Sequence, residues 1–205
     1  DLEISSSNFH LTTDGNMTAS NARFQTVTIR GGTGRNVVTE DSYHSFMGGG
    51  DAVKIEGKSF SSVIGAGSHN IISGSSDFSA VLSGISGSIH SDSDKSAIIT
   101  GESNTIASSS NNSFIATGLG HEILYGSGSV IVSGRNNKII GDPKSITTAY
   151  GTYYYWFASD NFIGTGFNNK IYNGNNASIL TGYNNLISGS LAVNGAGTAA
   201  ADRVY

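Results

Sequence analysis

Cysteine is absent from the 205 residues, so neither a disulfide framework nor a thiolate metal site can be built. Proline occurs once, at Pro143. Charged side chains make up only 13% of the chain, too few for the ion-paired surface of an ordinary globular domain. The formal net charge is −4 and no Lys/Arg stripe is present, which argues against neutralising a nucleic-acid backbone. No run of about 18 apolar residues occurs, so no stretch reads as a membrane-spanning helix. No signal-peptide pattern is present, and the chain starts at Asp1 rather than Met, which points to a fragment or a processed product.

What the chain has in abundance is glycine, 28 residues of it, with Ser, Thr and Asn crowding the gaps. Such a composition can mean disorder, but Ile and Val stand at regular places, and disordered segments lack that. The stretch S-S-V-I-G-A-G-S-H-N from Ser61 returns as A-V-L-S-G-I-S-G-S-I from Ala80 and A-I-I-T-G-E-S-N-T-I from Ala97. It returns again from Phe114, Val130, Phe162 and Ser178. Aligned on glycine, the units fall at Gly32, Gly50, Gly67, Gly84, Gly101, Gly118, Gly134, Gly151, Gly166 and Gly182, with spacings of 15 to 18.

Two apolar columns run through these units. One lies three residues before the glycine (Ile29, Met47, Ile64, Val81, Ile98, Ile115, Ile131, Thr148, Ile163, Ile179). The other lies five residues after it (Val37, Ile55, Ile72, Ile89, Ile106, Ile123, Ile139, Trp156, Ile171, Ile187). The period is too short for helix-pair repeats, and β-branched residues dominate both columns, which favours strands. Each unit therefore reads as strand, glycine turn, strand and second turn. The second turn carries Gly74, Ser91, Ser108, Gly126, Gly141, Gly174 or Gly189. The expected fold is all-β: a β-solenoid or β-roll of about ten coils over residues 29–190. Asn70, Asn104, Asn137, Asn169 and Asn185 hold one further column, expected to form a hydrogen-bonded ladder between coils.

Alternate residues of a strand face opposite ways. The positions two before each glycine (Leu82, Ile99, Ala116, Val132 and Leu180 among them) are nevertheless apolar as well. One apolar face fills the coil, and the other needs a cover. Neighbouring copies are the simplest cover, so a closed homo-oligomer is expected, with three chains favoured.

Residues 1–28 differ from the repeats. Asp14-Gly15, between alternating runs around Phe9/Leu11 and Met17/Ala19, signals a β-hairpin. This stretch resembles the F-x-L-x-x-D-G-x-x-T-A-x-N-A-x-F linkers of bacteriophage tail and tail-fibre proteins. The S-x-V-x-G-x-G-x-N-N-x-I-x-S-G sentence resembles the head repeats of trimeric autotransporter adhesins and the Gly/Asn-rich repeats of phage tail fibres, over about residues 30–190. The resemblance implies a homotrimer of β-rolls, or alternatively an intertwined triple-stranded β-helix. It also implies a place in the virion tail, or alternatively on a bacterial surface. Residues 191–205 fit a stalk leaving the roll or the join to a removed C-terminal segment; related phage fibres often carry a self-cleaving trimerising chaperone there.

One unit breaks the sentence: D-P-K-S-I-T-T-A-Y-G-T-Y-Y-Y-W-F-A-S-D from Asp142 to Asp160. Aromatic faces suit sugar rings and apolar receptor surfaces, so Tyr150, Tyr153, Tyr154, Tyr155 and Trp156 form the candidate binding site for a host-surface glycan. The alternative role for Trp156 and alternate tyrosines is packing in the core or on the oligomer axis. Asp92 and Asp94 sit at a spacing that puts both on one face of an extended segment, but no further ligand pattern completes a cation site. The carboxylates Asp41, Glu56, Asp77, Glu102, Glu122, Asp142 and Asp160 show no spacing that singles out a glycosidase pair. His10, His44, His69, His90 and His121 share no column, so no metal site is expected. Glycine runs at Gly31–Gly34 and Gly65–Gly67 echo phosphate loops, but no helix follows them, so they are turns.

The function expected is therefore a structural, host-receptor-binding segment of a phage tail fibre, without catalytic residues and without a cofactor. The alternatives are a polysaccharide-degrading tailspike domain and a bacterial trimeric adhesin head.

Overall fold

The computed structural model describes residues 9–11, 17–19, 36–142, 144–148, 151–155 and 158–189, the four isolated strands 9–11, 17–19, 144–148 and 151–155 by their backbone alone. No helix occurs among the described residues, and none is long and apolar enough to cross a membrane. The fold is a β-solenoid of about eight turns, built on one eight-stranded and one nine-stranded parallel sheet. Each coil gives one strand to each sheet. Isolated parallel bridges from Asp51 through Ser68, Ile85, Glu102, Leu119, Arg135 and Phe167 to Tyr183 add a third line of contact.

Register follows the apolar columns. In the eight-stranded sheet Ile98 pairs with Val81 on one side and Ile115 on the other. In the nine-stranded sheet Ile106 stands between Ile89 and Ile123. Strands such as Ala97–Ile98 put the first residue outward and bury the second. Two stacks of aliphatics thus face each other across the coil, and Ile55, Ile64, Ile72, Ile89, Ile106, Ile115, Ile123, Ile131, Ile139, Ile163 and Ile171 are fully buried. Each such side chain contributes roughly 1.5–3 kcal/mol.

Polar ladders fill the rest of the interior. The Nδ2 group of Asn104 donates to the Thr100 carbonyl at 3.1 Å and to the Gly118 carbonyl of the next coil at 3.1 Å. Its Oδ1 accepts from the His121 N–H at 3.0 Å. Asn70, Asn137 and Asn169 repeat this pattern. The expected asparagine ladder is therefore present, built mainly from amide-to-backbone bonds. Two serine columns escaped the sequence argument because serine is so common. Ser76, Ser93 and Ser110 each donate a backbone N–H to the hydroxyl of the serine one coil earlier, at 3.1–3.2 Å. Ser79, Ser96 and Ser113 do the same in a second column. A buried N–H left unpaired would be costly, and these hydroxyls satisfy the second turn of the coils before the inserted hairpin, with Asn161 taking the place after it.

The expected hairpin near the N-terminus is present: Phe9–Leu11 pairs antiparallel with Met17–Ala19. Its Asp14-Gly15 turn lies outside the described residues, as do Ile29, Gly31–Gly34 and the segment 191–205.

Two units differ from their expected alignment. At the first, Val38 rather than Val37 pairs with Ile55, and Asn36 donates to the Gly50 carbonyl as a ladder member. Gly32, assigned to this unit's turn, lies outside the described residues. At the second, the unit around Gly151 is not a coil. Lys144–Thr148 and Gly151–Tyr155 form an antiparallel hairpin, while Val130 pairs directly with Phe162 and Ile139 with Ile171. Thr148 and the segment leading to Trp156 are therefore not members of the core columns.

The insertion is one coil long. The Asn169 N–H reaches Asn137 Oδ1 over 32 sequence positions, whereas the Asn185 N–H reaches Asn169 Oδ1 over 16. The glycine columns consequently stay in phase across the hairpin, which is why a period count takes it for another coil. A run of β-branched and aromatic residues on either side of Ala149-Tyr150-Gly151 was the signal that separates it from a coil.

Candidate functional site

The inserted hairpin leaves the solenoid after Asp142 and rejoins it at Ala158, which is fully buried in the core. Its root is fixed on both sides. The Asp142 N–H donates to Asn173 Oδ1 at 2.6 Å, the Asp160 N–H to the Ser127 carbonyl at 2.9 Å, and Asn161 Nδ2 to the Gly174 carbonyl at 2.9 Å. Of the aromatic candidates, Tyr153, Tyr154 and Tyr155 lie on the returning strand, paired with Ile146, Ser145 and Lys144. Tyr150 and Trp156 lie outside the described residues.

A second feature was not expected from sequence. A shallow groove of about 280 Å³ runs over the last coils, lined by Asn136, Lys138, Asn168, Lys170, Asn184 and Leu186 with the ladder amides beneath. Lys138 and Lys170 are direct rung partners. Lys138 Nζ lies 2.6 Å from Glu122 Oε2, and Lys170 Nζ lies 5.1 Å from the centre of the Tyr172 ring. Asn168 Nδ2 donates to Asn184 Oδ1 at 2.8 Å. One position earlier in each coil, the rings of Phe167 and Tyr183 stack with centroids 5.3 Å apart and planes 9° apart.

The outer faces of the two sheets differ. The eight-stranded sheet presents Phe46, Leu82, Val132 and Leu180, all exposed, among Val63, Ala97, Ile99, Phe114 and Phe162 on the same face. The nine-stranded sheet presents Val37, Lys54, Ile71, Ser88, Thr105, Glu122, Lys138, Lys170 and Leu186 in its outward column, six of the nine polar or charged.

His121 occupies the asparagine column. Its Nδ1 accepts from the Asn137 N–H at 3.1 Å, which fixes the remaining proton on Nε2. That nitrogen is buried without a hydrogen-bond partner. Burial is the main cause of a lowered His121 pKa. The fold therefore favours the neutral ring. Its stabilising effect is complete above about pH 6.5 and is lost as pH falls from there through the lowered folded value. His121→Asn is expected to restore the ladder and to reduce this acid-side loss. Thermal melts at about pH 7.5 and about pH 5 check it: the drop in Tm between them should be smaller in the variant.

Of the acidic candidates, Asp77 and Asp94 are engaged by the backbone and Glu122 by Lys138. Asp92 is exposed in a left-handed turn with φ of 57°, while Asp94 Oδ1 accepts from the Asp77 N–H at 2.8 Å. The two do not share an extended face as expected, because the turn intervenes. Asp77 Oδ1 in its turn accepts from the Phe60 N–H at 2.8 Å. Among the described residues no three His, Asp or Glu side chains gather as a metal site. No known protein-family model matches the chain, and no curated protein matches it in sequence.

Proposed function

We propose that the chain is a structural and host-receptor-binding segment of a bacteriophage tail fibre or tail appendage, a homotrimer of solenoids that offers an aromatic hairpin to a cell-surface glycan. The observation that carries this reading is the insertion itself. Among the described residues a stack of near-identical coils is interrupted once, by a tyrosine-bearing hairpin rooted in intact ladders, and the stack continues after it. Coils of this kind supply length and rigidity, and a projecting hairpin supplies a recognition surface that the coils can carry without changing. Homotrimer formation is supported by the apolar outer face of the eight-stranded sheet, since soluble monomers rarely leave contiguous apolar patches of that kind open. Binding rather than hydrolysis is supported by Asp77 and Asp94, whose carboxylates already accept backbone N–H groups.

Deleting residues 142–157 tests the proposal. Gly141 and Ala158–Asn161 would then form a turn of the same length as Tyr125–Ser129 in the preceding coil, so the solenoid is expected to fold with its circular dichroism unchanged. Adsorption to host-cell glycan should fall at least about tenfold. Undiminished adsorption of the folded deletion variant would remove the hairpin from the binding role.

A further inference from the structure

We infer that the groove over the last coils is a second glycan subsite, one that takes the acid group of an anionic oligosaccharide between Lys138 and Lys170. The inference rests on the glycan-binding reading and names a ligand class and a place for it.

The groove carries an excess of positive charge. Lys138 and Lys170 face each other across one rung, and like charges in directly opposed positions repel. Glu122 compensates only the Lys138 end, at 2.6 Å. Lys170 meets no carboxylate among the described residues; its ammonium is over the Tyr172 ring at 5.1 Å. No acidic side chain lines the groove. An acid group in the groove gains a charge-assisted bond to Lys170, and a second to Lys138 once that ammonium turns from Glu122.

The neighbouring groups suit a sugar. Asn136, Asn168 and Asn184 stand one coil apart, about 4.8 Å on the strand spacing, and line the same groove. Asn168 spends one N–H on Asn184 Oδ1, which leaves the Asn184 NH2 and the Asn136 amide to bond ring hydroxyls. Tyr183, 68% exposed and stacked on Phe167, offers an aromatic face beside the amide column, as sugar rings favour. Two lysines on a chain of net charge −4 are too few to hold a nucleic-acid backbone. The open, amide-rich groove fits a polymer of hydroxylated rings that carries isolated acid groups.

The test uses the full chain and three probes of matched length: an oligogalacturonate, an oligo(glycerol phosphate) and a neutral oligogalactoside, by titration calorimetry. At least one anionic probe is expected to bind at least about tenfold more tightly than the neutral one, with affinity falling as salt is added. The anionic probe that binds identifies the acid as carboxylate or phosphate. Lys170→Ala should lose about tenfold in affinity, and Lys170→Gln, which keeps the stem, should lose the same charge-dependent part. Lys54→Ala removes an equal charge from the same outward column at the far end and should bind like the parent. Equal binding of the neutral probe, or undiminished binding by Lys170→Ala, overturns the subsite while leaving the wider glycan reading standing. Absence of binding to all three probes overturns the subsite, and the wider reading falls with it only if the intact chain also fails to adsorb to host cells.

Discussion

Ile98→Asp is expected to abolish the folded solenoid. Ile98 is 1% exposed, between Val81 and Ile115 in the middle of the aliphatic stack. Removing it forfeits roughly 1.5–3 kcal/mol of burial. An unpaired carboxylate in the same place costs several kcal/mol more, and protonating it still leaves a polar group buried among methyls. Domains hold only about 5–15 kcal/mol in total. A solenoid is also stabilised coil against coil, so a failed central coil exposes two open sheet edges instead of one local defect. Loss of the β-sheet circular dichroism signal and of the cooperative melt is the expected reading. Ile98→Val, which removes one methylene, should stay folded and lose only about 1 kcal/mol. A folded Ile98→Asp variant of unchanged melting temperature would contradict the placement of the core.

Gly101→Ala should be nearly as damaging, although it adds a single methyl. Gly101 has a φ of +111°, a conformation that strains any residue with a Cβ. Space is lacking as well. The added atom would run into the Gly118 carbonyl oxygen and stand 2.5 Å from Asn104 Nδ2 and 2.8 Å from Gly118 N. Those groups belong to the asparagine ladder and the next coil, so neither can give way without breaking an inter-coil hydrogen bond. A loss on the order of 3 kcal/mol or more is expected. Gly87→Ala provides the contrast. Gly87 is outside the left-handed region, and its Cβ would meet Asn70 Oδ1 at 3.1 Å and Val81 Cγ1 at 3.2 Å, contacts that ease with shifts of a few tenths of an ångström, too small to break the Asn70 ladder bond to the Gly87 N–H. Urea denaturation of both variants should therefore separate them clearly, with Gly101→Ala the less stable.

Most of this architecture was legible in the chain because a solenoid repeats its physics. The buried columns of Ile and Val, the glycine at the tight turn and the asparagine three residues later each answer the same local demand in coil after coil. The serine columns were hidden by the abundance of exposed serine: composition cannot tell Ser93, fully buried, from Ser91 next to it on the surface. The hairpin was hidden by its length. An insertion as long as a coil keeps the periodic residues in phase, so only the change from one strand pattern to another reveals it. The tyrosines were singled out because they departed from the repeat, and their backbone lies on a hairpin outside the coil stack. The lysine groove could not be seen from spacing, since Lys138 and Lys170 become rung neighbours only once the hairpin between them is set aside.

The apolar outer face of the eight-stranded sheet ties the fold to its assembly, and mass in solution tests that link most directly. Light scattering on the purified chain, repeated across a dilution series, is expected to give three times the 21.2 kDa of one chain, unchanged on dilution. A folded particle of 21.2 kDa that stays soluble with Leu82, Val132 and Leu180 open to water would contradict the account.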